Sequence, residues 1–282
     1  MELVRRVQNY MQELDGVKSR VLAVSGGPDS MALLEIFARW PAAREAGLTV
    51  AHVNHGLRPE AAAEARFVEE QAKLRGLPCV TAVRDVRSLR QKGETLEECA
   101  RRVRYAALEE IRQRCGAESI LTAHQQEDVA ETVLLHLLRG SGLTGLGGIR
   151  PVQGRVMRPL LCVSRQEILD WLKEEGIPWC EDASNRDLFY TRNRIRHVLL
   201  PLLREQFNPQ IVPALNRLAD AVAADDAALE GWLDEVWPRL VLRESEREIT
   251  LDAPRLLLLP PGLQRRAVRR AKSGRSGEAA AS

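Results

Sequence analysis

The chain has 282 residues, 45% hydrophobic and 28% charged, a composition typical of a globular protein with one large core, or a large domain with a smaller companion. No apolar run approaches the roughly 18 residues of a membrane span, and the N-terminus lacks the apolar segment of a signal peptide, so we expect no membrane association. The five cysteines are scattered without a C-x-x-C pair, which argues against disulfides and a metal centre and is typical of thiols in a reducing cytoplasm. Net charge is only +2, but 36 of the 41 basic residues are arginines, whose forks suit nucleic-acid phosphates as well as solvated helix faces.

The first two thirds of the chain alternate between strand and helix patterns. A helix is predicted over residues 2–14, followed by short aliphatic strands at 21–24, 48–53, 78–83 and 119–123. Helical spacing recurs between and after these strands, at about 29–39, 60–75, 95–114 and 127–139. This alternation predicts an α/β fold with a doubly wound, mostly parallel sheet, because parallel strands need crossover connections.

Beyond residue 150 the pattern becomes mostly helical. The stretch RVMRPLL at 155–161 indicates one more strand, and Ser164 with Glu167 forms a capping box that opens a helix to about 175. From about 191 the sequence predicts helices only, with a boundary near 205–212 marked by prolines. We expect a catalytic domain over 1–207, a smaller all-helical domain over 208–272 and a disordered tail over 273–282.

The stretch SGGPDS follows the first predicted strand and opens a helix. Two glycines allow several backbone N–H groups to turn inward, and a helix N-terminus beside them favours an anion. A plain tight turn remains the alternative, and the lysine of a Walker loop is absent. The candidate phosphate cradle comprises Ser25, Gly26, Gly27, Pro28, Asp29 and Ser30.

A second glycine-rich stretch, GSGLTG at 140–145, matches the dinucleotide fingerprint G-x-G-x-x-G. That fingerprint must follow a strand and open a helix. Here it follows VAETVLLHLLR, in which Val133, Leu134 and Leu137 recur at helical spacing. We therefore interpret it as a loop after a helix.

Polar residues also follow the second and fourth predicted strands. The stretch AHVNHGLRPE brings His52, Asn54, His55 and Arg58 to the edge of the sheet that carries SGGPDS. They are either ordinary polar residues at a strand end or parts of a site.

The stretch TAHQQEDVAET follows the fourth strand. His124 comes first, and Asp128 and Glu131 then fall on one face of the next helix. The two acids are either helix-dipole partners or groups that bind an amine or a metal–phosphate, facing the cradle.

These stretches together resemble a known family. SGGPDS after a first strand is similar to the signature of the N-type ATP pyrophosphatases, or PP-loop proteins. With AHVNHGLRPE, TLEECARRVRYAALEEI, LTAHQQEDVAETVLLHLLRGSGLTGLGGI and EDASNRDLFYTRNRIRHVLLPLL, the chain resembles the tRNA(Ile)-lysidine synthetases, also called synthases, over residues 18–210.

The resemblance implies an enzyme that uses ATP and Mg²⁺ to adenylate C2 of the wobble cytidine in a tRNA(Ile) with a CAU anticodon. Free L-lysine then attacks, forming lysidine and releasing AMP after pyrophosphate. It implies a catalytic role for Asp29, and Asp128 and Glu131, with His124 beside them, would hold the lysine ammonium and accept its proton. Arg104 and Arg192 would lie near the phosphates or the adenylated base, and the residues implied to face the tRNA are His55, Arg58, Asn193, Arg194 and Arg196.

The chain departs from the family pattern at one point in particular. Where the family reads His-His-x-Asp-Asp, this sequence has His124, Gln125, Gln126, Glu127 and Asp128. Longer members also carry a further C-terminal domain that grips the tRNA.

Other functions stay open at this point. They are a PP-loop tRNA sulfurtransferase, a small-molecule amide ligase such as an NAD or GMP synthetase, and a non-catalytic ATP- or tRNA-binding homologue. A homodimer is also left open.

Overall fold

A six-stranded sheet forms the centre of the computed structural model, which describes residues 2–56, 61–181, 190–245 and 248–272. The strands are β1 (Arg20–Ala23), β2 (Leu48–Asn54), β3 (Cys79–Val83), β4 (Ser119–Leu121), β5 (Val152–Gln153) and β6 (Val156–Met157). Their order is β3-β2-β1-β4-β6-β5, and every neighbouring pair is parallel except β5 with β6. The predicted mostly parallel sheet is confirmed.

Helices cover both faces of this sheet. They are α1 (Glu2–Asp15), α2 (Pro28–Ala38), α3 (Pro41–Ala46), α4 (Ala61–Leu74), α5 (Leu96–Arg114), α6 (Gln126–Leu138), α7 (Leu143–Leu146) and α8 (Arg165–Glu174). In β1, Val21 and Ala23 pack in the cluster that contains residues of α5, whereas Leu22, and Val24 just after the strand, pack in the cluster that contains residues of α2. Successive strand residues point to opposite faces, so both faces of this central strand are buried.

Local sequence explains where several helices begin. The predicted capping box at Ser164 is present, since its hydroxyl accepts the N–H of Glu167 while the Glu167 carboxylate accepts the N–H of Ser164. Thr95 and Glu98 cap α5 in the same way. The six-residue helix α3 was not predicted, because it is too short to show a helical period.

The C-terminal part is helical but also contains a hairpin. Its elements are α9 (Thr191–Arg194), one π-helical turn (Ile195–Leu199), α10 (Leu200–Gln206), α11 (Ile211–Leu240), β7 (Val241–Glu244), β8 (Ile249–Leu251), α12 (Ala253–Leu257) and α13 (Pro261–Lys272). The break between α10 and α11 falls where the prolines predicted a boundary. The antiparallel hairpin β7–β8 corrects the expectation that only helices follow residue 191.

The long helix α11 packs against two different parts of the protein. Near its start, Val212, Leu215 and Ala219 share a cluster with Val129 and Val133 of α6. Near its end, a separate cluster contains the residues Leu233, Leu240, Leu263 and Ala267. Within the described ranges, none of the helices combines the length and apolarity that crossing a bilayer takes. The expected tail at 273–282 lies outside the described residues.

Candidate active site

The SGGPDS turn is held together by one hydroxyl. The Oγ of Ser30 accepts the N–H groups of Ser25 at 3.2 Å and Gly26 at 3.1 Å and donates to the carbonyl of Gly27 at 2.9 Å. Gly26 has φ +96°, a conformation that L side chains rarely adopt. The glycine is therefore required by the turn, which curls its backbone amides inward.

The turn leads directly into the N-terminus of α2. Gly27 is the N-cap and Pro28 occupies the first turn, where a missing N–H costs nothing. The first N–H of the helical ladder is that of Met31, which donates to the Gly27 carbonyl at 2.9 Å. The amides of Asp29 and Ser30 precede this ladder, so they and the helix dipole favour an anion above the turn.

A cavity of about 400 Å³ opens above this turn. It lies at the carboxyl ends of β1, β2 and β4, the point at which strand order reverses and where open α/β sheets bind ligands. Its polar lining includes Ser25, Asp29, Ser30, His52, His55, Glu64, Arg104, His124, Asp128, Arg165, Cys180 and Arg196. The predicted meeting of the three strand-end segments is present in this lining.

Asp29 is a weakly paired carboxylate in this cavity. Its Oδ1 is buried and has no hydrogen-bond partner among the described residues, and its Oδ2 lies 3.4 Å from Nη1 of Arg165. Burial raises the pKa of Asp29 to about 6, with Arg165 acting in the opposite direction. A carboxylate oxygen next to a phosphate-binding turn is a suitable ligand for Mg²⁺, which binds proteins through one or two carboxylates together with substrate phosphates.

We predict that Asp29→Asn stabilises the fold in a pH-dependent way. The folded-state pKa of about 6 exceeds the unfolded value of 3.8, so the native carboxyl binds its proton more tightly and stability falls as pH rises from about 4 to about 6. Asparagine removes this penalty, so the free energy of unfolding should rise by about 1–3 kcal/mol at pH 8 and by about half as much at pH 5. Urea unfolding of both proteins at the two pH values measures it, and an equal difference at both would contradict it.

His52, which is buried, and His124, which is partly buried, are both neutral at pH 7. Nδ1 of His52 lies 2.9 Å from the carbonyl of Val24, which can only accept, so Nδ1 carries the proton and Nε2 keeps its lone pair. Burial lowers the pKa of His52, and burial lowers the pKa of His124 to about 3. Nδ1 of His124 is 2.9 Å from the hydroxyl of Thr122. These imidazoles serve as hydrogen-bonding groups rather than cations.

Arg104 reaches the same cavity from α5. Burial lowers the pKa of its guanidinium, although this group remains charged. It forms no ion pair with a carboxylate in the described ranges. A partly buried cation without an acidic partner in the described ranges favours an anionic ligand.

A compact charge cluster is formed by two carboxylates of α6, Asp128 and Glu131, and two arginines, Arg192 of α9 and Arg196 of the π-helical turn. Arg192 lies 3.2 Å from Asp128 and 3.0 Å from Glu131, and Arg196 lies 3.1 Å from Asp128 and 2.5 Å from Glu131. Burial opposes ionisation of Asp128, but the neighbouring His124, these arginines and the N–H of Gln125 outweigh it and lower the pKa of Asp128. Asp128 is therefore ionised at neutral pH.

The members of this cluster differ in their access to the cavity. Asp128 and Arg196 line it, whereas the Glu131 side chain is completely buried and Arg192 lines a second cavity of about 520 Å³. The second cavity adjoins the first, since His52, His55 and Glu64 line both, and its wall also includes Tyr190, Asn193, Arg87 and Glu97. Arg194 is exposed outside both cavities. Arg58 lies outside the described residues.

The two residues that depart from the family pattern have clear structural roles. Gln125 is fully buried and caps α6, its Oε1 accepting the N–H of Glu127 at 2.5 Å. The longer Glu127 reaches across to α8, where its Oε2 accepts the N–H of Arg165 at 2.8 Å. Three further residues line the cavity but were not identified from the sequence: Arg165, Glu64 and Cys180. For Arg165, the sequence did offer one signal, its position directly after the capping residue Ser164.

The GSGLTG stretch is separate from this site. It follows α6, and no cavity residue comes from it. It follows a helix and not a strand, as predicted, but only its first three residues are a loop, since the short helix α7 begins at Leu143.

Comparison with known proteins agrees with this geometry. A family model of the PP-loop domain matches residues 1–203. The tRNA(Ile)-lysidine synthase of Caldanaerobacter subterraneus is 38% identical over 272 residues, 95% of this chain and 58% of that protein. That of Gloeobacter violaceus is 38% identical over 275 residues, 96% of this chain and 81% of that protein.

A solved structure shows the same fold. The U34-tRNA thiolase NcsA from Methanococcus maripaludis, with its 4Fe-4S cluster, aligns with a TM-score of 0.63 over 78% of both chains at 13% identity. The chain spans 58% and 61% of the length of the lysidine synthases from Caldanaerobacter subterraneus and Symbiobacterium thermophilum. By sequence, fold and the position of its PP-loop, this chain belongs to the PP-loop family and, within it, to the tRNA(Ile)-lysidine synthase family.

Proposed function

We propose that this chain catalyses ATP-dependent formation of lysidine in a tRNA(Ile) with a CAU anticodon. The observation that carries the proposal is one cavity in which the PP-loop and the ionised Asp128 both take part. The first provides a place for a triphosphate, and the second provides a place for an ammonium group. An adenylating enzyme with an amine as its second substrate needs both.

In this proposal the ATP phosphates bind at the turn Ser25–Ser30 through the backbone N–H groups of Asp29 and Ser30 and the α2 dipole. Asp29 would hold Mg²⁺, which when bound supplies positive charge to the phosphates. The neutral Nε2 of His52 and the unpaired guanidinium of Arg104 lie in the same cavity, where they would contact the nucleotide. Fixed donors aimed at the reacting phosphorus stabilise the charge that develops there.

The two chemical steps place different demands on the site. First the C2 oxygen of the cytidine attacks the α-phosphorus, and the bond to the β-phosphate oxygen breaks, releasing pyrophosphate. Then the side-chain amine of lysine attacks C2, the C2–O bond breaks, and AMP and one proton leave. At neutral pH only about one lysine amine in a few thousand is unprotonated, so the site must collect the ammonium form and accept its proton.

Asp128 is the group that we propose holds this ammonium, with the neutral His124 next to it. Arg192 and Arg196 contact both carboxylates, but Asp128 lines the cavity whereas the Glu131 side chain is completely buried. Binding of lysine by Glu131 therefore stays a prediction that requires its surroundings to open. Arg192 is then placed to face the adenylated base from the second cavity.

The tRNA would approach over the second cavity and the arginine-rich turns around it. We propose that His55, Asn193, Arg194 and Arg196, together with Arg58, contact the tRNA backbone or the wobble base. The catalytic domain would be 1–207, and 208–272 would add further tRNA contacts. We propose the cytoplasm as its location, since tRNA and ATP are used there, and a homodimer is compatible with this function.

The decisive assay uses purified protein, ATP, Mg²⁺, radiolabelled lysine and two unmodified transcripts with CAU anticodons, tRNA(Ile) and tRNA(Met). We expect label in tRNA(Ile) and at least about tenfold less in tRNA(Met), a difference of about 1.4 kcal/mol. Label in both transcripts would support lysidine formation but contradict the expectation that this chain discriminates tRNA(Ile) from tRNA(Met). ATP binding without any label would favour a non-catalytic homologue or another PP-loop substrate.

A further inference from the structure

Arg165 occupies a distinctive position in the ATP cavity. It begins α8, lines the cavity, and places Nη1 3.4 Å from Oδ2 of Asp29, a residue 136 positions away in the chain. Charge-assisted hydrogen bonds are usually about 2.7–2.9 Å long, so this contact is loose. By contrast, Arg196 makes contacts of 2.5–3.1 Å with two carboxylates. Of the two guanidinium groups, that of Arg165 is the less committed to protein partners.

The backbone that carries Arg165 is held firmly from another helix. Glu127, in the first turn of α6, accepts the N–H of Arg165 at 2.8 Å. One residue earlier, the N–H of Gln126 donates to the carbonyl of Val163 at 3.1 Å. The capping box between Ser164 and Glu167 satisfies the backbone N–H groups of both residues. The starts of α6 and α8 are therefore joined, and Arg165 is the side chain at their junction.

The packing of α8 against α2 places this junction next to the PP-loop. Ile168 and Leu172 of α8 are buried in the same core cluster as Met31 and Leu34 of α2. The two helices are thus fixed side by side, with the first turns of both at the cavity. A ligand seated on the amides that precede Met31 therefore lies next to Arg165.

We infer that Arg165 binds the pyrophosphate portion of ATP, and that Glu127 is the positioning residue that holds Arg165 there, an inference that rests on the proposed function. When the nucleotide binds, the Arg165 guanidinium exchanges its loose contact with Asp29 for phosphate oxygens. Planar guanidinium donors match the geometry of phosphate oxygens. The exchange also leaves the Asp29 carboxylate available for Mg²⁺.

The assignment to pyrophosphate rather than to the nucleoside follows from charge and position. The guanidinium of Arg165 lies beside Asp29 in the first turn of α2, next to the amides of Asp29 and Ser30 that precede the helical ladder. The β- and γ-phosphates carry most of the charge of ATP and leave together as pyrophosphate. AMP lacks them, so AMP binding depends on the rest of the site.

The test measures binding by calorimetry with Mg²⁺ and three ligands separately: ATP, inorganic pyrophosphate and AMP. Arg165→Ala should weaken ATP and pyrophosphate by about 10–30-fold and AMP by less than about twofold, and Arg165→Lys should fall between. The matched control is Gln166→Ala, the next residue of α8, whose exposed side chain donates a hydrogen bond to Asp170 on its own helix. It should bind all three ligands like the unmodified chain.

Two variants of Glu127 test the positioning role. Glu127→Asp withdraws the carboxylate by about one C–C bond, ~1.5 Å, which breaks the 2.8 Å contact with Arg165, and should weaken pyrophosphate about 3–5-fold. Glu127→Gln keeps an acceptor oxygen at the same reach and should bind within about twofold of the unmodified chain. Equal pyrophosphate affinity in Glu127→Asp and the unmodified chain would overturn the role of Glu127.

The outcomes separate this inference from the proposed function. Pyrophosphate binding by Arg165→Ala equal to that of the unmodified chain would overturn the inference, including the role of Glu127, and leave the proposed function standing. An unmodified chain that binds neither ATP nor pyrophosphate would overturn both the inference and the proposed function. Selective loss of ATP and pyrophosphate, with AMP retained and Gln166→Ala unaffected, would support the inference, because a general loss of structure would weaken AMP as well.

Discussion

Asp128→Asn should lower lysidine formation by about 10³-fold while leaving ATP binding within about twofold of the unmodified chain. The substitution keeps the shape of the side chain and an oxygen that can accept the N–H of Gln125. It removes the ionised carboxylate that lines the cavity, so the site loses the group that attracts the lysine ammonium. Labelled-lysine incorporation into tRNA(Ile), measured beside ATP calorimetry, separates the two effects.

The matched control for this variant is Asp226→Asn. Asp226 is also buried and paired with arginines, Arg266 and Arg150, but it joins α11 to α13 and lines neither cavity. Its substitution should cost stability without a comparable loss of ligation per folded molecule. Ligation by Asp128→Asn within tenfold of the unmodified chain would remove Asp128 from the catalytic site.

Glu131→Gln should destabilise the fold by about 3–5 kcal/mol, the largest effect on stability that we expect from a single substitution here. The carboxylate is completely buried and faces two guanidinium groups at 2.5–3.0 Å. Glutamine replaces the carboxylate with a neutral amide. The NH2 group of that amide is a donor, so it cannot accept a hydrogen bond from either guanidinium group. For a chain of this size the melting temperature should fall by roughly 10 °C. Thermal and urea unfolding measure it.

Glu230 provides a control that isolates burial. Its carboxylate also contacts two arginines, Arg266 at 2.5 Å and Arg270 at 2.8 Å, but its side chain is 41% exposed. Water can replace those contacts, so Glu230→Gln should cost about 1 kcal/mol or less. A similar cost for both variants would show that burial does not determine the strength of these pairs. The double variant Glu131→Gln with Arg196→Gln should cost less than the sum of the two single changes.

Local sequence patterns were sufficient for most of the central fold. The aliphatic run after residue 20 and the helical spacing after residue 28 correspond to β1 and α2 within one residue at each end. Such patterns report which face of an element is buried, and burial of that face is what stabilises the element. The hairpin β7–β8 was missed because its strands of four and three residues are too short to show a period distinct from the helices around them.

The sequence by itself determined that three strand-end segments would meet at one edge of the sheet. That follows from topology, because parallel strands present their carboxyl ends on the same side and SGGPDS, AHVNH and TAHQQED each follow such a strand. Only the tertiary structure decided the electrostatic pairing within the site. Arg192 meets Asp128 across 64 residues, and Arg165 meets Asp29 across 136 residues. Side chains so far apart in the chain have no periodic relation in the sequence, so their pairing depends on how the helices pack together. The same packing places Glu131 in the interior and Asp128 at the cavity.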